Sequence, residues 1–401
     1  MPGCARAHLF DPAMSCSSAR EGIAAMASGK KVLTLFFSAL LAAGIYFAYT
    51  VWHSQSGRDA YAAAMRLYAD RKYADAADAL RAVSRVHPRA PEGIEAFYYY
   101  CLCLELSGQR EKARESWQKI IADPASRAFH PHGTLALARL SVQENRADDA
   151  KRRLDTLCEA YPDSPVCADG FLVRAELLER EGDLAGAARA AQKVVDEYPG
   201  SGAVSRAQEK VWGLNIKLLF SPAITPGTEE YVVREGDSLE AIARKFGTTV
   251  ELLKEMNRRT IKGDSIRPQG RLKVCTEKFS LLVDKSANTL TLKAGERVVK
   301  VYPVGTGKEG STPVGEFKIT NKMVEPEWFK PGEGVVPYGD PRNLLGTRWM
   351  GIDSPGYGIH GTWEPETVGK QASAGCIRLL NADVEELFKI VPVGTKVTIV
   401  E

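Results

Sequence analysis

Four alanines at a fixed interval limit what the first half of this chain can become. Ala76, Ala113, Ala150 and Ala187 stand 37 residues apart. Gly108, Asn145 and Gly182 precede the last three by five residues, where a helix must reverse through a left-handed backbone. Arg71 is the departure from that pattern. Pro88, Pro124, Pro162 and Pro199 then follow at intervals of 36, 38 and 37 residues. Each unit therefore reads as helix, tight turn, helix, proline stop. Such units bury their apolar faces against one another, so residues 58–220 are predicted to form an all-α solenoid of four helical pairs.

The whole chain has 401 residues, which implies roughly two to four domains, so the molecule is predicted to be multidomain. A net charge of only +3 excludes a nucleic-acid binder, which would carry a basic stripe. One segment is not globular. Val32–Trp52 runs 21 residues without a charge, and as a helix it would be about 31 Å long, enough to cross a bilayer core. Lys30 and Lys31 precede it, placing the N-terminus in the cytoplasm and everything after it outside. The expected organisation is an unstructured cytoplasmic leader over 1–31 and a single-pass transmembrane anchor over 32–52. A cleaved signal peptide ending near Ala42-Ala43-Gly44 is the competing reading, disfavoured because the apolar run continues to Trp52.

Of eight cysteines, Cys4 and Cys16 fall in the leader, and Cys101 and Cys103 fall in an apolar helical run as packing residues. Cys158 and Cys167 flank a Tyr-Pro loop and are candidates for a disulfide outside the cytoplasm. No Cys/His spacing suits zinc, and neither a metal nor a cofactor is expected.

The helical units resemble tetratricopeptide repeats with a slightly long period. They imply either a concave surface for a protein partner or a spacer. Ser221–Glu229 is rich in proline and glycine and reads as a linker. Residues 230–275 then read strand, helix, helix, strand. Asp237 with Glu240 is expected to cap the first helix, and Thr248 with Glu251 the second. This small α+β segment, with its "GDSLEAIARKFGTT" run, resembles a LysM module. It departs from the family only at "RPQGRLKV". The resemblance implies binding to N-acetylglucosamine-containing glycans such as peptidoglycan.

From Phe279 the pattern changes to alternating strands. Phe279, Leu281 and Val283, then Leu290 and Leu292, point to hairpins of a mainly-β domain over 279–400. Two glycine- and proline-rich stretches, near 305–316 and 321–347, are too long for mere connections and are expected to build a site. The domain holds one histidine, His360, 16 residues before Cys376. Imidazole is the side chain suited to take a thiol proton near neutral pH, so the two are the candidate base and nucleophile. Gly375 would let a substrate carbonyl approach, with amides of Cys376 and its predecessors as oxyanion donors. Ser373 is expected to orient the imidazole. Arg378 would hold a carboxylate or form a structural ion pair. Asn381 is expected to cap the helix after it.

"GYGIHGT" at 356–362 with "SAGCIRLLNADVEELFKIVPVGTKVTI" at 373–399 resembles the signature of the YkuD-type L,D-transpeptidases. "STPVGEF" at 311–317 and "NLLGTRWMGI" at 343–352 resemble two further stretches of that family. Ala374 stands where many members have histidine. Carried over by position, Cys376 is the nucleophile and His360 the proton donor and acceptor. Ser373 and Gly375 complete the catalytic motif, and Arg378, Tyr357 and Trp328 are substrate-binding. The resemblance implies a bacterial inner-membrane protein whose C-terminal domains lie in the periplasm or extracytoplasmic space. There it would form a thioester with a peptidoglycan tetrapeptide stem, release D-alanine and cross-link to an amine. Water as acceptor would make it an L,D-carboxypeptidase, and a protein lysine an attachment enzyme. A degenerate domain would leave a non-catalytic wall-binding scaffold.

Overall fold

The computed structural model describes residues 39–47, 55–330, 332 and 334–401. The expected leader over 1–31 lies outside the described residues, as does the expected anchor over 32–52 except for residues 39–47, which are helical. Among the described residues no helix is long and apolar enough to cross a membrane. The chain divides into two units between Arg153 and Leu154.

The first unit is helical: α1 (55–69), α2 (Tyr73–Val86), α3 (Pro91–Leu106), α4 (Arg110–Ala122), α5 (His130–Gln143) and the start of α6 (Ala147–Ala160). Leu80, Ala96, Leu104, Trp117 and Leu137 form its core. The second unit opens with α7 (Val166–Arg180), α8 (Leu184–Glu197) and α9 (Val204–Phe220). The repeat alanines Ala76, Ala113, Ala150 and Ala187 are all fully buried. Each of them sits inside a helix pair's packing, which is why the interval could be read from a small apolar residue.

The turn residues behave as a set of four. Gly108, Asn145 and Gly182 have φ of 76°, 58° and 86°, and Arg71 joins them at 59°. In every case the turn amide bonds three residues back and the next amide five back: Arg71 N to Tyr68 O and Lys72 N to Leu67 O, both at 3.0 Å, in the first unit. Arg71 therefore departs from the pattern in residue type and not in geometry. The thiols of Cys158 and Cys167 are free; Cys167 Sγ donates to the Tyr161 carbonyl at 3.0 Å, and the expected disulfide is absent.

The βααβ segment comprises β1 (Thr228–Val232), α10 (Leu239–Phe246), α11 (Val250–Met256) and β2 (Arg271–Cys275), with β1 and β2 antiparallel. Both caps fall one residue later than expected. Ser238 accepts from Ala241 N and Thr249 from Leu252 N. Asp237 is held by the preceding turn, accepting from Tyr231 Oη and Arg234 N, each at 2.8 Å. Thr248 precedes the second cap and its buried hydroxyl has no partner.

Residues 221–229 are not a loose linker. Lys273 is buried, and its Nζ donates to the carbonyls of Leu218, Leu219 and Ser221, closing the C-terminus of α9. Burial pulls that amine down to about 8. Ile216 and Leu219 of α9, Leu252 of α11 and Leu281 of the C-terminal sheet belong to one apolar cluster. Helical repeat, glycan-type module and sheet thus share a core within this unit.

The C-terminal sheet has eight strands in the order β13-β11-β10-β7-β14-β3-β4-β5. Their ranges are β3 (Phe279–Asp284), β4 (Thr289–Ala294), β5 (Arg297–Pro303), β7 (Gly315–Val324), β10 (Arg348–Ile352), β11 (Gly358–His360), β13 (Ile377–Arg378) and β14 (Lys396–Val400). It is antiparallel except for the β11–β13 and β14–β3 pairs. The alternation in β3 and β4 buries Leu281, Val283, Leu290 and Leu292. The second long stretch starts later than expected, because 321–324 extend β7. It also contains a hairpin of β8 (Trp328–Lys330) and β9 (Gly334–Val336). Helix α12 (Asn381–Ile390) packs on β10 and β11.

Candidate active site

Parallel pairing of β11 with β13 sets His360 opposite Arg378 and Ile359 opposite Ile377. Cys376 directly precedes β13, so it lies level with Gly358. Continued one residue beyond the strand, that register puts Cys376 on the same face as Arg378 and His360. The parallel pairing thus brings together a thiol and an imidazole 16 residues apart in the chain.

His360 is 3% exposed, and its Nδ1 lies 2.6 Å from the Gly361 carbonyl. Burial lowers its pKa to about 4; the Gly361 and Leu345 carbonyls oppose the fall and the Arg378 charge adds to it. Burial raises the pKa of the Cys376 thiol, against the Gly358 amide and Arg378. Both groups are therefore neutral at rest near pH 7. The thiol donates to the Gly356 carbonyl at 3.6 Å.

The loop before the thiol is held from inside. Ser373 Oγ donates to Cys376 O at 2.7 Å and accepts from Gly375 N at 3.0 Å. Ser373 was expected to orient the imidazole; its hydroxyl instead closes this turn, and the Gly361 carbonyl holds the ring. The Gly375 amide, one of the expected oxyanion donors, is engaged by Ser373 Oγ. Gly375 has φ 133°, and a Cβ there would lie 2.6 Å from Tyr357 Cε1. Tyr357 is half-buried, with its ring against the nucleophile loop.

Arg378 Nη1 donates to Glu364 Oε2 at 2.9 Å, while its buried Nε has no partner among the described residues. The ion pair exists, and the Nε is enclosed rather than open to solvent. Trp328 lies on the β8–β9 hairpin, outside the eight-stranded sheet, with Lys330 Nζ 5.5 Å from its ring centre. Tyr338, just past the hairpin, meets Trp363 at 6.3 Å.

Sequence reasoning missed four contributors. Thr312, buried in "STPVGEF", accepts from Gly307 N and donates to Gly375 O, each at 2.8 Å. Trp349 stacks on His360 with ring centres 5.8 Å apart. Glu364 pairs Arg378. Asn381 does not cap its helix: α12 starts at Asn381 with no side-chain cap, and Asn381 Oδ1 accepts from Thr347 N at 3.1 Å. Thr312 and Trp349 lay inside stretches already singled out, but neither residue type announces a positioning role.

The site defines a class: a thiol beside the end of a parallel strand pair whose neighbour carries a buried imidazole, on a mixed β-sheet. The model of the L,D-transpeptidase catalytic domain (YkuD) matches residues 278–399. That of the LysM domain matches 231–274, and that of the tetratricopeptide repeat 61–128 and 135–202. YkuD of Bacillus subtilis is 38% identical over 174 residues, covering 42% of this chain and 97% of that protein. Two solved structures are also similar. The catalytic domain of an Enterococcus faecium L,D-transpeptidase is 28% identical, covering 31% of this chain and 98% of that one, with a TM-score of 0.26. An L,D-transpeptidase from Mycobacterium smegmatis is 22% identical, covering 33% and 64%, with a TM-score of 0.28. The chain belongs to the YkuD family of L,D-transpeptidases, with a LysM domain and tetratricopeptide repeats ahead of the family domain.

Proposed function

We propose that this protein is an extracytoplasmic enzyme that joins peptidoglycan stem peptides through a thioester on Cys376. The observation that carries the reading is the shared face of Cys376 and His360, with Nδ1 of the imidazole held by Gly361. His360 Nε2 takes the thiol proton, and the thiolate attacks the carbonyl carbon before the terminal D-alanine of a tetrapeptide stem. The C–N bond breaks, the proton on His360 passes to the leaving amine, and D-alanine departs. An amine of a second stem attacks the thioester, its proton returns to sulfur through His360, and the cross-link is released. Arg378 would hold a stem carboxylate by exchanging Glu364 for it.

The LysM domain would hold the glycan strand, and the helical repeats would offer a surface to a protein partner. The uncharged run 32–52 after Lys30-Lys31 supports an inner-membrane anchor with the folded domains outside. Exposed Phe329 in the middle of β8, beside Trp328, favours a peptide as acceptor over water.

Incubation of the full chain with a tetrapeptide stem tests this. Free D-alanine, a mass adduct on Cys376 and a dimer of stems are expected, and Cys376→Ala should abolish all three. Normal turnover by Cys376→Ala would refute the mechanism, and tripeptide without dimer would reassign the acceptor to water.

A further inference from the structure

We propose that Trp349 is a positioning residue for the imidazole of His360, and that Asn321 acts through it. The inference rests on the reading of His360 as the base. Trp349 sits directly across from His360 in the β10–β11 register, and the two rings lie 23° from parallel at 5.8 Å. The Gly361 and Leu345 carbonyls meet the edge of the imidazole and leave its faces without support. A flat ring laid against it supplies the second constraint and keeps water off that face.

Three neighbours hold the indole where it is. Trp349 Nε1 donates to Asn321 Oδ1 at 3.1 Å, and Gly351 N donates to the same oxygen at 3.2 Å. Asn321 is opposite Gly351 on β7, so the amide is anchored by its own sheet. A Cβ on Gly358 would lie 2.6 Å from Trp349 Cζ2 and Cη2, and one on Gly351 would lie 2.5 Å from Asn321 Oδ1. Neither contact could be relieved by a flexible chain end, since each would push a ring or a bonded amide. Two glycines on two strands, and an asparagine on a third, thus leave space for one ring orientation over His360. The other groups acting on the imidazole are the Gly361 and Leu345 carbonyls and Arg378, with Glu364 behind Arg378.

The test uses the full chain with Asn321→Ala, Trp349→Ala and Trp349→Phe, and the double variant Asn321→Ala/Trp349→Phe. The rate of iodoacetamide labelling at Cys376, read peptide by peptide across pH, reports thiol activation without any substrate. NMR titration of the His360 ring reports its environment, and kcat and KM on the tetrapeptide stem report turnover. Asn321→Ala and Trp349→Ala should slow labelling at pH 7 by about tenfold, a fraction of a general base's usual contribution. They should also raise the His360 titration midpoint and lower kcat more than KM. Trp349→Phe keeps the stack and should recover most of the loss, and adding Asn321→Ala to it should change little further. Unchanged labelling and titration, or a loss confined to KM, would overturn the proposal and make Trp349 a substrate platform. If the wild type fails to turn over the stem while the labelling pattern appears, the substrate reading fails and this inference stands.

Discussion

His360 Nδ1 donates to the carbonyl of Gly361, the next residue, at 2.6 Å. A carbonyl oxygen only accepts, so Nδ1 carries the hydrogen and the lone pair of the neutral ring is on Nε2. Nitrogen NMR should find this tautomer at pH 7, with protonation only near pH 4. Between pH 6.5 and 4 the unfolded chain binds the proton and the folded one does not. Stability contributed by the neutral ring is therefore complete above about 6.5 and is lost as pH falls toward 4, by up to about 3 kcal/mol. In denaturant titrations, His360→Gln should flatten that part of the acid limb.

Arg378 lowers the pKa of both His360 and Cys376. Arg378→Ala should raise the titration midpoint of each, since a cation disfavours imidazolium and favours thiolate. If Arg378 exchanges Glu364 for a stem carboxylate, KM should rise about tenfold or more. Glu364→Gln, which frees the arginine, should change stability by less than about 1 kcal/mol because Glu364 is part-exposed. An unchanged KM in Arg378→Ala would leave only the ion pair.

Gly375→Ala places a methyl group at φ 133° and against Tyr357. It should destabilise the second unit by about 1–3 kcal/mol and slow labelling of Cys376. Tyr357→Ala in the same chain removes the clash but not the backbone strain, so chemical denaturation should show partial recovery only.

Lys273→Met removes a buried donor that serves three carbonyls at the end of α9. A loss of about 2–3 kcal/mol is expected, with new proteolytic cleavage within 221–229. An unaltered digestion pattern would mean that the shared apolar core alone fixes that segment.

Arg71→Gly should stabilise the first unit by about 1 kcal/mol, because a glycine adopts φ 59° without strain. Asn145→Gly should gain less, asparagine being tolerant of that backbone. A fall in melting temperature for Arg71→Gly would indicate that the arginine side chain offsets its strain.

The sequence by itself determined the elements whose cause is local. The 37-residue interval was legible because each Ala76-type position sits inside a helix pair's packing, and the turns because left-handed backbone selects glycine and asparagine. Alternation exposed β3 and β4, and the thiol and imidazole stood out as the one cysteine–histidine combination in the C-terminal domain. What only the tertiary structure decided depends on partners distant in the chain. The Pro/Gly-rich stretch 221–229 reads as flexible until Lys273, some fifty residues later, caps the helix before it. Ser238 became the first cap because Asp237 was already engaged by Tyr231 and Arg234. The parallel β11–β13 pair, the seating of Trp349 by Asn321 and the pinning of the nucleophile loop by Thr312 all require hydrogen bonds between strands that no local propensity encodes. Side-chain type and spacing announce which atoms can react; only the packed sheet fixes which neighbours aim them.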